Sequence, residues 1–490
     1  MNSRAAILFS FFALVSCAPI PSVCEHSPVI DPEVPVTCFV NGWSEGSHCS
    51  KCGEVLVPQE EIPASHHYEL DTIYLPGESS IEHGARFFCP DCRYFDFRSL
   101  TPSDVNMPIL TILGSLDGVS KENKVAAKIR YESEDQVFES DATFKVQGAS
   151  SAFYPKKNYT LQLLDENGKK NKVLLDPAWG KQSKYCLKAN WIDASHARNV
   201  VSAKLYGQIV HSRKFEDELD PLVNGGAIDG FPILIYEGND FLGLYTLNIP
   251  KDAWMFGMND KTIPQGILMA DDWTNSVFLK EPVAKDFSNG WDNEYCSTEE
   301  ADWMVDSMNR FISFLNDSSD EDFKARIEEY TSLERSIDLL LYTYFICAGD
   351  NLSKNILWAS FDGKRWIPSA YDLDSTWGLV WDGKSLMDYE DIRLDCCDYY
   401  WNRNLLWERI YHCFRDEVKK RYFELRGSVL STSHLSQEFA SFCGGIPEVV
   451  YRTESLHWED LPSKELGKVD QILEFIESRG PYYDTLMEAL

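Results

Sequence analysis

The chain has 490 residues, 44% of them apolar and 13% aromatic, which is enough material for a substantial core and excludes a globally disordered protein. Its 77 acidic against 46 basic residues leave a formal net charge of −31, which disfavours nucleic acid and anionic headgroups as partners and welcomes divalent cations. Such a length predicts one large domain of roughly 300–400 residues with something small beside it.

The N-terminus reads Arg4, an apolar stretch from Ala5 to Val15, then Leu14-Val-Ser-Cys17. That apolar stretch is too short to span a bilayer and predicts an export signal over residues 1–17. Its ending resembles a bacterial lipobox, which implies cleavage before Cys17 and lipidation of its sulfur; an ordinary cleaved signal is the alternative. The protein is then exported and held at the extracytoplasmic face of the membrane by that lipid alone. Residues 18–36 carry Pro19, Pro21, Pro28, Pro32 and Pro35 and predict a stiff tether.

Residues 37–95 form the next predicted module. Cys49-Ser-Lys-Cys52 and Cys89-Pro-Asp-Cys92 have the knuckle spacing with which four thiolates hold one tetrahedral zinc, a zinc-ribbon-like pattern. The run from Thr37 to His67 also resembles a small Cys-rich repeat of surface proteins of anaerobic gut bacteria, in which Cys38, Cys49, Cys52 and His67 would be the cluster. Disulfides are the alternative for an exported chain. No repeat longer than the two knuckles is read here, and the other cysteines, among them Cys186, Cys347, Cys396, Cys397 and Cys443, show no pairing logic.

Beyond residue 107 the cysteine-rich composition gives way to a long aromatic-rich chain. Phe144 and Val146, then Tyr159, Leu161 and Leu163, alternate with polar residues and predict two strands. The loop between them, Gln147-Gly148-Ala-Ser150-Ser151, exposes backbone N–H groups and hydroxyls to an anion, and Lys156 or Lys157 stands at the start of the second strand. A plain hairpin turn is the competing reading of this segment. Further on, Val201, Leu205 and Ile209 share a helical face, Asp193 or Ser195 can cap that helix, and Arg198 in its first turn is a candidate for an anion.

The densest chemistry lies between Ser336 and Trp381. Ile337, Leu340, Leu341, Tyr344 and Phe345 predict a helix that Gly349 stops, and Asp350 and Asn355 follow with four residues between them. In protein kinases that spacing serves an aspartate that orients or deprotonates the acceptor hydroxyl and an asparagine that holds magnesium. Two apolar strands flanking Asp362-Gly363 predict a tight hairpin, after which Asp372-Leu-Asp374 places two carboxylates where metal can bridge phosphates.

Gln147-Gly-Ala-Ser-Ser151 with Pro155-Lys-Lys157, Trp191-Ile-Asp193 with Arg198-Asn199, Phe241-Leu-Gly-Leu-Tyr245, Asp350-Asn351 with Lys354-Asn355, and Tyr371-Asp-Leu-Asp374 with Gly378 resemble the CotH kinases in type and order. The resemblance covers about residues 108–480. It implies an α+β, bilobal, atypical protein-kinase-like fold that binds ATP and Mg and phosphorylates Ser or Thr of secreted or surface proteins. It further implies that Asp350 and Asp372 are catalytic and that Asn355, Asp372 and Asp374 hold Mg. Nucleotide would be bound by Gln147, Gly148, Ser150, Ser151, Lys156, Lys157 and Arg198. Where many relatives carry an acidic residue after Gly243-Leu-Tyr245, this chain has Thr246-Leu-Asn248-Ile-Pro-Lys251, which leaves Glu294 as a distant candidate partner for the phosphate-binding lysine. A catalytically weak surface adhesion protein and a metal-dependent phosphohydrolase using Asp350, Asp372 and Asp374 are the two alternatives.

Overall fold

The structure, a computed structural model, describes residues 24–74, 81–213, 217–394, 404–464 and 469–490. The expected export signal, Cys17, and the pair Cys396 and Cys397 lie outside the described residues. The chain divides into two units, one of residues 1–69 and 87–96, the other of residues 70–86 and 97–490.

The smaller unit corrects two expected boundaries. Residues 28–31, assigned to the tether, form a strand whose Pro28 stands opposite Cys49 in an antiparallel pair. The proline content that suggested a tether suits an edge strand equally well, because proline holds an extended φ and loses only the outward N–H. Residues 70–86, placed in the Cys-rich module, belong with the larger unit.

In the larger unit, period-two alternation builds a closed barrel of seven strands. Around it run Val125–Glu132, Val137–Val146, Tyr159–Leu164, Lys184–Lys188, Asp240–Asn248, Gly230–Glu237 and Ile109–Leu113, all antiparallel except the last neighbouring pair. Phe144 faces Leu161 and Val146 faces Tyr159 across the predicted pair, and all four are buried. Closure removes the sheet edges and leaves the interior filled by such residues.

A second, four-stranded antiparallel sheet follows, in the order Trp291–Cys296, Gly266–Ala270, Ile356–Ser360, Ile367–Ala370. The predicted two-residue turn at Asp362-Gly363 is longer than expected. The last paired residues are Ala359 and Ile367, and Gly363 alone of the two takes a positive φ, of 73°. The carboxylate of Asp362 instead accepts from the backbone of Lys364 and Arg365 at 2.8 and 2.9 Å, which lets a wider loop replace a mirror-image turn.

The predicted helix spans Leu333–Phe345 and is capped by Ser332, whose side chain accepts from the Arg335 amide. Two features hold it, one at mid-length and one at its C-terminal end. Asp338, fully buried, accepts from Arg213 at 2.6 Å and Arg421 at 2.7 Å, so a charge that would be costly alone is matched by two guanidinium groups. At the C-terminal end Arg479, from the helix Asp470–Glu488, is itself buried and donates to the carbonyls of Tyr344, Phe345, Tyr389, Asp391 and Ile392. All five guanidinium N–H groups are thereby used, two on the helix end that leads toward Asp350 and three on the segment of residues 389–392. Among the described residues no helix is long and apolar enough to cross a membrane.

Candidate active site

Asp350 and Asn355 stand in the middle and at the end of the segment that joins the helix Leu333–Phe345 to the strand Ile356–Ser360. A single 3₁₀ turn, Gly349–Leu352, carries Asp350, and Asn355 sits just ahead of the strand with its amide bonded to Ala270 O at 2.8 Å. The returning strand ends at Ala370, so Asp372 and Asp374 emerge beside them. Two asparagines tie these segments together. Asn351 donates to Tyr371 O at 2.6 Å, and Asn199, in the first turn of the helix Arg198–His211, accepts from the Leu373 amide at 3.1 Å.

Both Asn355 and Asp372 adopt left-handed backbone, with φ of 56° and 53°. Asn and Asp tolerate this conformation better than other side-chain-bearing residues, and strain of this kind persists only where its surroundings over-determine it. Here those surroundings are the hydrogen bonds just named.

Asp350, Asn355, Asp372 and Asp374 line one cleft of about 460 Å³. The Gly/Ser loop shares this cleft, with Gln147, Gly148, Ser150 and Ser151 in the lining. Gly148 has φ of 103° and a Cβ added there would lie 2.0 Å from Ser151 Oγ, so the loop needs glycine at that point. Asn158 braces it by donating to Ser151 Oγ at 3.2 Å. Gln147 Nε2 is buried without a hydrogen-bond partner among the described residues, a donor still to be satisfied.

Lysines complete the wall. Lys188 Nζ lies 3.6 Å from Asp372, and Lys251 Nζ lies 2.5 Å from Glu294. Burial by itself would push both ammonium groups down, but Tyr371 with Asp372 raises Lys188, and Tyr371 with Glu294 raises Lys251, above their ordinary values. The acids are perturbed in the same direction. Burial, then the neighbouring Asp372, pushes Asp374 well above the carboxylate range, and burial also raises Asp350 against the pull of Lys354. Carboxylates crowded until they resist ionising, next to fixed ammonium groups, make a site that gains from a divalent cation on one side and an anion on the other.

Three residues expected at the nucleotide are elsewhere. Lys156 is fully buried and pairs with Glu454 at 2.5 Å, Lys157 donates to Ala152 O at 3.0 Å, and Arg198 pairs with Asp193 at 2.5 Å and also donates to Thr376 O and Gln471. The physical reason is common to the first and third. Each side chain runs into the interior, where an acid from a distant segment or from the cap of its own helix satisfies it. Asp193 caps that helix by accepting from the Arg198 amide at 2.9 Å, so Arg198 is held back by its own capping residue.

The cleft lysines Lys188 and Lys251 had not been singled out, although Glu294, expected to partner a phosphate-binding lysine, does partner Lys251. Asn190, Asp271 and Asp292 in the lining were missed as well. A signal for Lys188 exists in retrospect. Tyr185, Cys186 and Leu187 are all buried, and a lysine ending so apolar a strand must reach a polar site.

In the smaller unit, the knuckles expected to share one metal are separate. Cys49 and Cys52 cluster with Cys24 and His26, while Cys89 and Cys92 cluster with Cys38 and His66. His67 is exposed and belongs to neither, since successive residues of the extended chain before the strand Glu69–Thr72 face opposite ways.

Comparison with curated proteins finds no match. A family model described as CotH kinase protein matches residues 144–483, more than half of the chain.

Proposed function

Because the chain belongs to the CotH kinase family, we propose that it is an ATP- and Mg-dependent protein kinase which transfers the γ-phosphate to Ser or Thr hydroxyls of secreted or surface proteins. The observation that carries this reading is the convergence of Asp350, Asn355, Asp372 and Asp374 with Lys188 and Lys251 on one cleft. The residues present suit both groups: oxygen donors for a hard cation, ammonium groups and a small-residue loop for phosphates, and an unsatisfied Gln147 amide. Bound there, the nucleotide supplies the phosphoryl group and the magnesium ion the positive charge that offsets it.

Asn355, Asp372 and Asp374 would hold the cation, and the Asp374 carboxyl, whose proton affinity burial raises, would give up its proton to do so. Lys188, beside Asp372, would hold the anionic phosphate, and Lys251 is fixed by Glu294 and by the ring of Tyr371 at 4.9 Å. Gly148 and its neighbours would let backbone N–H groups approach the phosphates. Asp350, in the same lining, is the group that would orient an acceptor hydroxyl and take its proton. Its raised proton affinity suits a general base better than an ordinary carboxylate would.

The expected address follows from the sequence alone: export, a lipid on Cys17, and action on the extracytoplasmic face, with no nucleic-acid partner for so acidic a chain. Incubation with γ-labelled ATP and a panel of secreted proteins tests the activity. Label transfer that Asp372→Ala abolishes is the expected result. Release of labelled phosphate without transfer would instead make the protein a phosphohydrolase, and failure to bind ATP at all would leave a surface adhesion role.

A further inference from the structure

The smaller unit has almost no apolar interior. Of its described residues only Gly42, Gly46, Cys49, Phe87 and Cys89 are buried, while Ile30, Phe39, Val40, Val55 and Tyr94 are each about 60% exposed or more. Two of the five buried residues are thus cysteines of the two clusters. A unit so small needs a staple other than a hydrophobic core.

The two clusters are related by a repeat that the pattern of knuckles alone did not reveal. His26, Cys49 and Cys52 recur as His66, Cys89 and Cys92, each forty residues further along. The backbone repeats too. The Cys49 amide donates to Glu54 O and the Gly53 amide to Cys49 O, both at 2.8 Å; the Cys89 amide donates to Tyr94 O at 2.9 Å and the Arg93 amide to Cys89 O at 2.8 Å. Gly53 and Arg93 share the left-handed conformation, with φ of 74° and 61°. Arg93 pays for that conformation with strain, which a tightly held turn must offset. A strand enters each knuckle, Gly46–Cys49 and Gly84–Phe88, and a strand leaves it, Val55–Val57 and Phe95–Ser99.

Distances between ligand atoms identify what the clusters are built for. Cys24 Sγ and Cys49 Sγ are 3.8 Å apart, and Cys38 Sγ and Cys89 Sγ 3.6 Å. Cys52 Sγ lies 3.6 Å from His26 Nδ1, and Cys92 Sγ 3.2 Å from His66 Nδ1. A tetrahedral zinc with bonds of about 2.3 Å to sulfur and about 2.0–2.1 Å to nitrogen has S···S edges near ~3.8 Å and S···N edges near ~3.5 Å. A disulfide needs about 2.05 Å between sulfurs and would leave a histidine and a thiol of each cluster unused. In the first cluster the other ring nitrogen of His26 faces the Glu54 carboxylate at 3.5 Å, the arrangement that orients an imidazole toward a metal.

We propose that the smaller unit is a duplicated two-zinc module, each ion held by three thiolates and one imidazole, with Cys24, His26, Cys49 and Cys52 as one set and Cys38, His66, Cys89 and Cys92 as the other. The fourth ligand breaks the repeat. Cys24 lies two residues before its histidine, whereas Cys38 lies inside the stretch between His26 and Cys49 of the first set. The ligand sets therefore interleave, and each ion pins chain that the other site needs.

Elemental analysis of the purified full-length protein tests this directly, with two zinc ions per chain expected. Cobalt(II) in place of zinc should give the thiolate-to-metal charge-transfer and visible bands of a sulfur-rich tetrahedral site. His66→Ala and Cys52→Ser should each lower the zinc content below two, and His67→Ala should leave it at two. A wild-type chain holding one ion or none overturns the proposal, as does a native mass short of two hydrogens for each sulfur pair, which would reveal disulfides.

Discussion

Lys156 and Lys188 both match what a nucleotide site requires, a lysine near a glycine-rich loop, yet their surroundings assign them opposite roles, and replacing Lys156 by methionine separates those roles. Its ammonium is wholly enclosed and donates to Ala189 O at 3.0 Å, to Leu244 O and to Glu454 Oε1, with the Tyr245 ring 4.4 Å away. Burial pushes the Lys156 ammonium down and the Glu454 carboxyl up, and each partner draws the other back. The other Glu454 oxygen takes the Leu244 amide at 2.8 Å, and Gly243 leaves room for both, since a Cβ there would meet Glu454 Oε2 and Lys156 Cε at 2.8 Å.

Lys156→Met keeps the aliphatic stem and strands Glu454, a loss of about 3–5 kcal/mol for a broken buried pair. With an unfolding entropy of about 2.1 cal/mol/K per residue over a unit of roughly 400 residues, the thermal midpoint falls by about 4–6 °C. Urea titration with an unchanged slope measures the loss, and adding Glu454→Gln, which retains the acceptor for Leu244, should restore most of it. A Lys156→Met protein as stable as the wild type that no longer binds ATP would refute this account and return Lys156 to the phosphates.

Lys188→Met should show the reverse behaviour, a smaller stability loss than Lys156→Met together with loss of the ATP-dependent thermal shift in the presence of magnesium. Asp374→Asn should stabilise the ligand-free protein at neutral pH while removing magnesium binding. Because the folded-state pKa of Asp374 is raised, its own contribution to stability is fullest below the ordinary value of 3.8 and is lost as pH rises toward the folded value, so the difference between variant and wild type opens above 3.8 in denaturation series. Arg479→Leu takes a donor from five carbonyls and should cost about 3–5 kcal/mol, and in protein that remains folded at low temperature it should lower kcat more than the affinity for ATP, because two of those carbonyls, Tyr344 and Phe345, end the helix that leads to Asp350 and none lies beside the lysines.

Local spacing made much of this protein legible in advance. Alternation over Phe144–Val146 and Tyr159–Leu163 marked two barrel strands, helical spacing from Ile337 to Phe345 marked the helix before Asp350, and the order helix, acid, amide, strand pair, acid pair brought Asp350, Asn355, Asp372 and Asp374 to one cleft, since each lies within a few residues of the element that aims it. The partners of long charged side chains and of metal ligands were not legible, because they come from segments far apart in the chain. Glu454, almost three hundred residues beyond Lys156, claims that lysine for the interior, and the Gly/Ser loop beside it faces Lys188 and Lys251 instead. In the same way Cys24 and His26, from a stretch that reads as tether, complete a cluster with Cys49 and Cys52. A side chain's rotamer and partner are set by what the folded chain packs against it, and that is decided only when the barrel closes and the distant helices arrive.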